Sequence, residues 1–113
     1  MRRRFFKPGV LTGMVLLVAS ILLTGCNSEP SGAELYTLNC AGCHGAAGKG
    51  GLATALGIPA YLATHDDSTI TRLTSEGMPN TGMRAFGKAN GGTLTDEQIS
   101  SIVKYLRSNR QAN

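Results

Sequence analysis

The sequence predicts a small all-α domain, three to four helices wrapped around one covalently bound group. Three observations carry this. Segments with apolar residues at three- and four-residue spacing alternate with Gly-, Pro- and Thr-rich connections. No strand-rich or βαβ-sized run occurs. One cluster, Cys40-Ala41-Gly42-Cys43-His44, sets two thiols and an imidazole within a single turn of chain.

The 113 residues allow one domain, preceded by a targeting segment over residues 1–25. Arg2, Arg3, Arg4 and Lys7 form a positive head, and Val10 to Leu23 is an apolar stretch broken by Thr12, Gly13 and Ser20. The following Leu23-Thr24-Gly25-Cys26 resembles the lipobox of bacterial lipoproteins, which implies diacylation of Cys26 after cleavage. An uncleaved membrane anchor is the alternative, but Val10 to Gly25 falls short of the roughly 20 residues a comfortable span needs. Cys26 as an odd exported thiol is another. The arginines also resemble a twin-arginine export signal, although an ordinary positive head explains them. The expected location is outside the cytoplasm. There the domain is lipid-anchored to the outer face of the cytoplasmic membrane or to the periplasmic face of an outer membrane.

Removing that segment changes the charge argument. The whole chain is +4, but four of its eleven Lys and Arg precede Cys26, leaving seven basic against seven acidic residues. There is no basic stripe with interleaved aromatics, so nucleic acid is excluded as a partner class. Residues 26–31 form the anchored Cys and a short polar linker with Pro30, and residues 32–110 form the domain. Five linker residues reach at most about 18 Å, which keeps the domain near the membrane surface.

Gly32 to Asn39 reads as a first helix leading into the Cys cluster. The cluster is the C-x-x-C-H pattern of covalent c-type haem attachment. Two thiols three positions apart can each add to a vinyl group of one porphyrin, and the next residue, His44, then offers the iron its proximal nitrogen. The same Cys pair also suits zinc or a dithiol redox couple. Zinc lacks a further pair at finger spacing, because only Cys26 and His65 remain, and a dithiol pair lacks its βαβ setting. No structural disulfide is expected.

Gly45 to Gly57 is too rich in glycine for a regular helix and lacks the G-K-[ST] of a phosphate loop. It reads as a loop wrapping one haem edge. Asp67 or Ser68 is the expected cap of a second helix, with Ile70 and Leu73 inward and Gly77 as its end. Thr95 and Gln98 form a capping box for the last helix, Leu94 and Ile99 its hydrophobic staple, and Ile99, Ile102, Val103 and Leu106 its buried stripe. The mature domain, about 88 residues with four aromatics, has a thin protein core. Haem would supply the missing apolar surface.

With Gly32 and Tyr36 at four-residue intervals before Cys40, the domain resembles the monohaem class I c-type cytochromes. The resemblance implies that Gly32 permits a close crossing by the last helix and that Tyr105 meets the first. It implies that a proline carbonyl, here that of Pro59, orients His44, although Pro59 also reads as a simple turn residue. It implies a methionine as the second axial ligand. Met83-Arg84-Ala85-Phe86 resembles the family's Met-Pro-Ala-Phe with Arg in place of Pro, and Met83 lies at the better distance before the last helix. Met78-Pro79 is the alternative. A distal His65 would make the haem bis-His instead. Two readings stay open for Tyr61, contact with a haem propionate or packing.

Iron closed by His44 and Met83 has no open position for a substrate, and Met/His ligation raises the potential. The expected function is a membrane-anchored one-electron carrier with one haem c and its iron. It would serve redox proteins or a respiratory or photosynthetic membrane complex, with no small-molecule substrate and no enzymatic activity of its own. Lys49, Arg84 and Lys88 form either a modest docking patch for an acidic partner or ordinary solubility charge. The rival class is a five-coordinate haem sensor or peroxidase-like enzyme.

Overall fold

The structure is a computed structural model that describes residues 28–110. The predicted targeting segment 1–25 and Cys26 lie outside the described residues. Five α-helical segments follow in order: α1 Gly32–Asn39, α2 Ala41–His44, α3 Pro59–Thr64, α4 Asp67–Glu76 and α5 Asp96–Asn109. Single 3₁₀ turns stand at Ala46–Gly48 and Lys88–Asn90. The described residues form no strand, and Gly87 and Leu94 make one isolated parallel bridge. The all-α expectation holds, with five α-helical segments where three to four helices were expected.

α1 begins where Ser31 and Glu34 form a reciprocal capping box: the Ser31 hydroxyl accepts from Glu34 N–H, and the Glu34 carboxylate accepts from Ser31 N–H at 2.7 Å. α5 begins with the predicted box of Thr95 and Gln98, at 3.2 and 3.0 Å. Its stripe of Ile99, Ile102, Val103 and Leu106 is buried against Leu35, Tyr36, Leu62, Ile70 and Leu94. α1 and α5 cross so closely that a Cβ on Gly32 would lie 2.0 Å from the Ser101 carbonyl oxygen. Beside this crossing the Tyr36 and Tyr105 rings pack tilted, with centroids 5.5 Å apart. This is the contact that the Gly32 and Tyr105 positions predicted.

The second predicted helix needs a correction at its start. Asp66, not Asp67 or Ser68, is the N-cap of α4, because its carboxylate accepts from Thr69 N–H at 2.7 Å and from the Ser68 hydroxyl at 2.9 Å. Gly77 ends the helix as expected. A helix at Pro59–Thr64 was not foreseen. Proline suits its first position, where the missing N–H has no intrahelical partner. His65 terminates α3 as its C-cap. Arg107 of α5 closes this corner: its guanidinium donates to the carbonyls of Leu62 and His65 and to the Asp67 carboxylate at 2.6 Å. Orphan carbonyls at the end of α3 are thereby satisfied from a helix forty residues on.

Two predictions follow from these contacts. Gly32→Ala should overpack the α1–α5 crossing and cost about 1–3 kcal/mol, read as a lowered midpoint in chemical denaturation. Hydrogen bonds from Thr69, then Ser68, hold the Asp66 carboxyl at about 2 against an ordinary 3.8. A folded-state pKa depressed in this way stabilises the fold above the unfolded value, and that contribution is lost as pH falls through about 2. Asp66→Asn keeps a capping oxygen but does not titrate, so the stability gap between wild type and variant should narrow on acidification below about pH 4.

Candidate functional site

The chain after α1 turns back on itself at the Cys cluster. Cys40 leaves the helix with φ −120° and ψ −37°, and α2 then carries Cys43 and His44. The buried Tyr36 ring fixes where α2 ends, because its hydroxyl donates to the Gly45 carbonyl at 2.9 Å. Burial pushes that phenol up to about 12, which keeps it protonated and donating. Gly45 has φ +78°, and a Cβ there would stand 2.1 Å from the Gly50 oxygen, so the fold-back excludes any larger residue.

Three hydrogen bonds lay the glycine-rich loop under the cluster. Gly50 N–H donates to the His44 carbonyl at 2.8 Å, and Ala53 N–H donates to the Cys43 carbonyl at 2.9 Å. The third joins His44 Nδ1 to the Thr54 carbonyl at 2.7 Å. A carbonyl can only accept, so the proton sits on Nδ1 and Nε2 keeps its lone pair. Here the Pro59 expectation is corrected. Pro59 is exposed at the start of α3, and the carbonyl that orients His44 belongs to Thr54, five residues earlier. A backbone carbonyl is supplied by any residue type, so the sequence carries no signal for which one is used.

Cys40, Cys43 and His44 line a cleft of about 570 Å³. Its walls are mainly apolar, with Leu56 and Ile70 joined by Phe86, Ile102 and Leu106. Met78 and Met83 line it from the segment between α4 and α5, so the structure brings both candidate axial residues to the cluster. They share one turn: Met78 N–H donates to the Met83 carbonyl at 2.9 Å, and the Thr81 hydroxyl donates to the Met78 carbonyl at 2.8 Å. Thr81 also accepts from Met83 N–H at 3.1 Å. Met83 is half-buried, while Met78 is 42 % exposed.

Other expected residues are not brought here. Tyr61 does not line the cleft; it stacks on His65, with centroids 4.0 Å apart and planes 11° from parallel. This supports packing over contact with a propionate. His65 is likewise absent from the walls, its Nδ1 lying 3.0 Å from the Tyr61 carbonyl. Sequence reasoning missed Thr54 and the buried Thr74, whose hydroxyl is satisfied by donation to the Ile70 carbonyl at 2.8 Å.

The donor set suits a porphyrin better than a bare metal ion. Among the described residues no three His, Cys, Asp or Glu side chains converge as a chelating group. Burial pushes the Cys40 thiol up to about 11, so it resists forming the thiolate that a zinc site or an active dithiol requires. An uncharged thioether at the same position carries no such cost. Leu52, 91 % exposed, lines the cleft together with the partly exposed Met78. Both offer apolar surface that a flat apolar group would cover.

Comparison with known proteins agrees with this chemistry. The family model described as cytochrome c matches residues 30–110. The chain is similar to the cbb3-type cytochrome c oxidase subunit CcoP of Azospirillum sp. (strain B510), at 35% identity over 95 residues. The match covers 68% of this chain and 29% of that relative, so the chain spans less than a third of the relative's length. With a helical fold, a C-x-x-C-H turn and an apolar cleft lined by its three functional side chains, the chain belongs to the cytochrome c family, whose domain binds haem c and its iron covalently.

Proposed function

We propose that this protein is a membrane-anchored one-electron carrier. In this reading Cys40 and Cys43 hold the haem through thioethers, His44 and Met83 are its axial ligands, and Cys26 carries the lipid. One observation bears most of the weight: Cys40, Cys43, His44 and Met83, contributed by two distant segments of chain, line a single apolar cleft. When bound, the haem supplies one iron that alternates between ferric and ferrous states.

The protein's part is to hold that group with little rearrangement. Thr54 fixes the His44 tautomer and ring direction, which keeps Nε2 available as a ligand. The Thr81-braced turn holds the Met83 backbone, and its half-buried position favours it over Met78. Thioethers in place of thiols leave Cys40 uncharged in its half-buried position, in keeping with its resistance to ionisation. Leu56, Ile70 and Phe86 give the cleft apolar walls, and exposed Leu52 marks an edge where a redox partner can approach. Delivery of electrons to or within a membrane respiratory complex is supported by the similarity to an oxidase subunit.

The test uses protein matured in a host that attaches haem c. Wild type should show the ferric far-red band of a Met–iron bond. Met83→Ala should abolish it and Met78→Ala should keep it; the reverse pattern would transfer the ligand role to Met78. A colourless wild type after competent maturation would end the proposal. For the anchor, Cys26→Ser should move the protein from the membrane fraction to the soluble fraction, and retention on membranes would count against lipidation at that residue.

A further inference from the structure

Arg84 is the one permanently charged side chain among the described residues that line the cleft. It directly follows Met83, where the family resemblance leads one to expect proline. Its guanidinium carbon lies 4.8 Å from the centroid of the Phe86 ring, which lines the same cleft. That perch is firm. Phe86 N–H donates to the Thr74 carbonyl at 3.0 Å and its carbonyl accepts from Leu94 N–H at 2.8 Å, tying it to the α4 helix and to the residue before the Thr95 cap of α5.

No described carboxylate pairs with Arg84, and no acidic residue lines the cleft. The two ion pairs among the described residues, Arg72–Glu76 and Arg107–Asp67, involve other arginines. Cation–π contact holds the guanidinium on an apolar wall without cancelling its charge. Arg84 is exposed, so water screens part of its charge, and what remains acts across the cleft wall that it lines.

From this we infer that Arg84 sets the reduction potential of the iron: its uncompensated positive charge on the cleft wall favours the reduced state. The inference rests on the iron site proposed above. Ferric iron carries one more positive charge than ferrous iron, so a nearby cation destabilises the oxidised form and makes acceptance of one electron from the redox partner more favourable. Lys88 is the natural control, being equally cationic and exposed but outside the cleft lining.

The experiment is spectroelectrochemical titration of the matured full-length protein as wild type, R84Q, R84M, R84K and K88Q, with the ferric far-red band recorded for each. R84Q and R84M should shift the midpoint potential downward with the band retained. R84K should lie closer to wild type, and K88Q should shift less than either neutral Arg84 variant. R84M keeps an unbranched stem over Phe86, so it remains informative if R84Q matures poorly. A midpoint in both neutral variants that is unchanged or raised overturns the inference. So does a K88Q shift as large as theirs, or loss of the far-red band in both, since ligand loss rather than charge would then set the potential. A wild type without the band overturns the proposed axial ligation instead, which separates the two failures.

Discussion

The approach of α1 to α5 at Gly32 is the constraint on which the remaining structure depends. Because no side chain separates the two backbones, Tyr36 reaches the interior and is fully buried. Its hydroxyl then catches the Gly45 carbonyl immediately after His44. A packing contact between the first and last helices thereby sets the position of the Cys-Cys-His turn. The same α5 supplies Ile102 and Leu106 to the floor of the cleft, so core and site share side chains.

From that turn onward the backbone, more than the side chains, builds the site. The loop after His44 has almost no core residues of its own and is laid down by hydrogen bonds to Cys43 and His44. Glycine at positive φ allows the reversal and lets the loop carbonyls and amides approach. Such a loop is stable only where its polar groups find partners. The carbonyls of the cofactor-binding turn provide them, and the loop in return orients the imidazole.

Charge is distributed to match. Carboxylates cap helices at Ser31–Glu34 and Asp66–Thr69 or pair with arginines on the surface, which keeps them off the cleft walls. The cleft walls are left mainly apolar, with Arg84 their one permanently charged side chain. A mainly apolar site with a single fixed charge is electrically simple, which suits a centre that changes oxidation state without large reorganisation.

Much of this was legible in the residues. The capping box at Thr95, the stripe from Ile99 to Leu106 and the Gly32–Tyr36–Cys40 spacing follow from local periodicity, and local periodicity is written in the chain. The C-x-x-C-H turn is local for the same reason, since its chemistry needs only neighbouring residues. The sequence by itself thus determined the helical class and the cofactor chemistry, and it named two candidate methionines that the fold brings to the cleft. Which carbonyl orients His44 was left to the tertiary structure, as were the helix at Pro59–Thr64 and the placement of Arg84 over Phe86. Each of these joins groups through space in a Gly- or Pro-rich stretch with little periodicity. A backbone carbonyl is common to every residue type, and a surface arginine gains its role only from the ring that the folded chain sets beneath it.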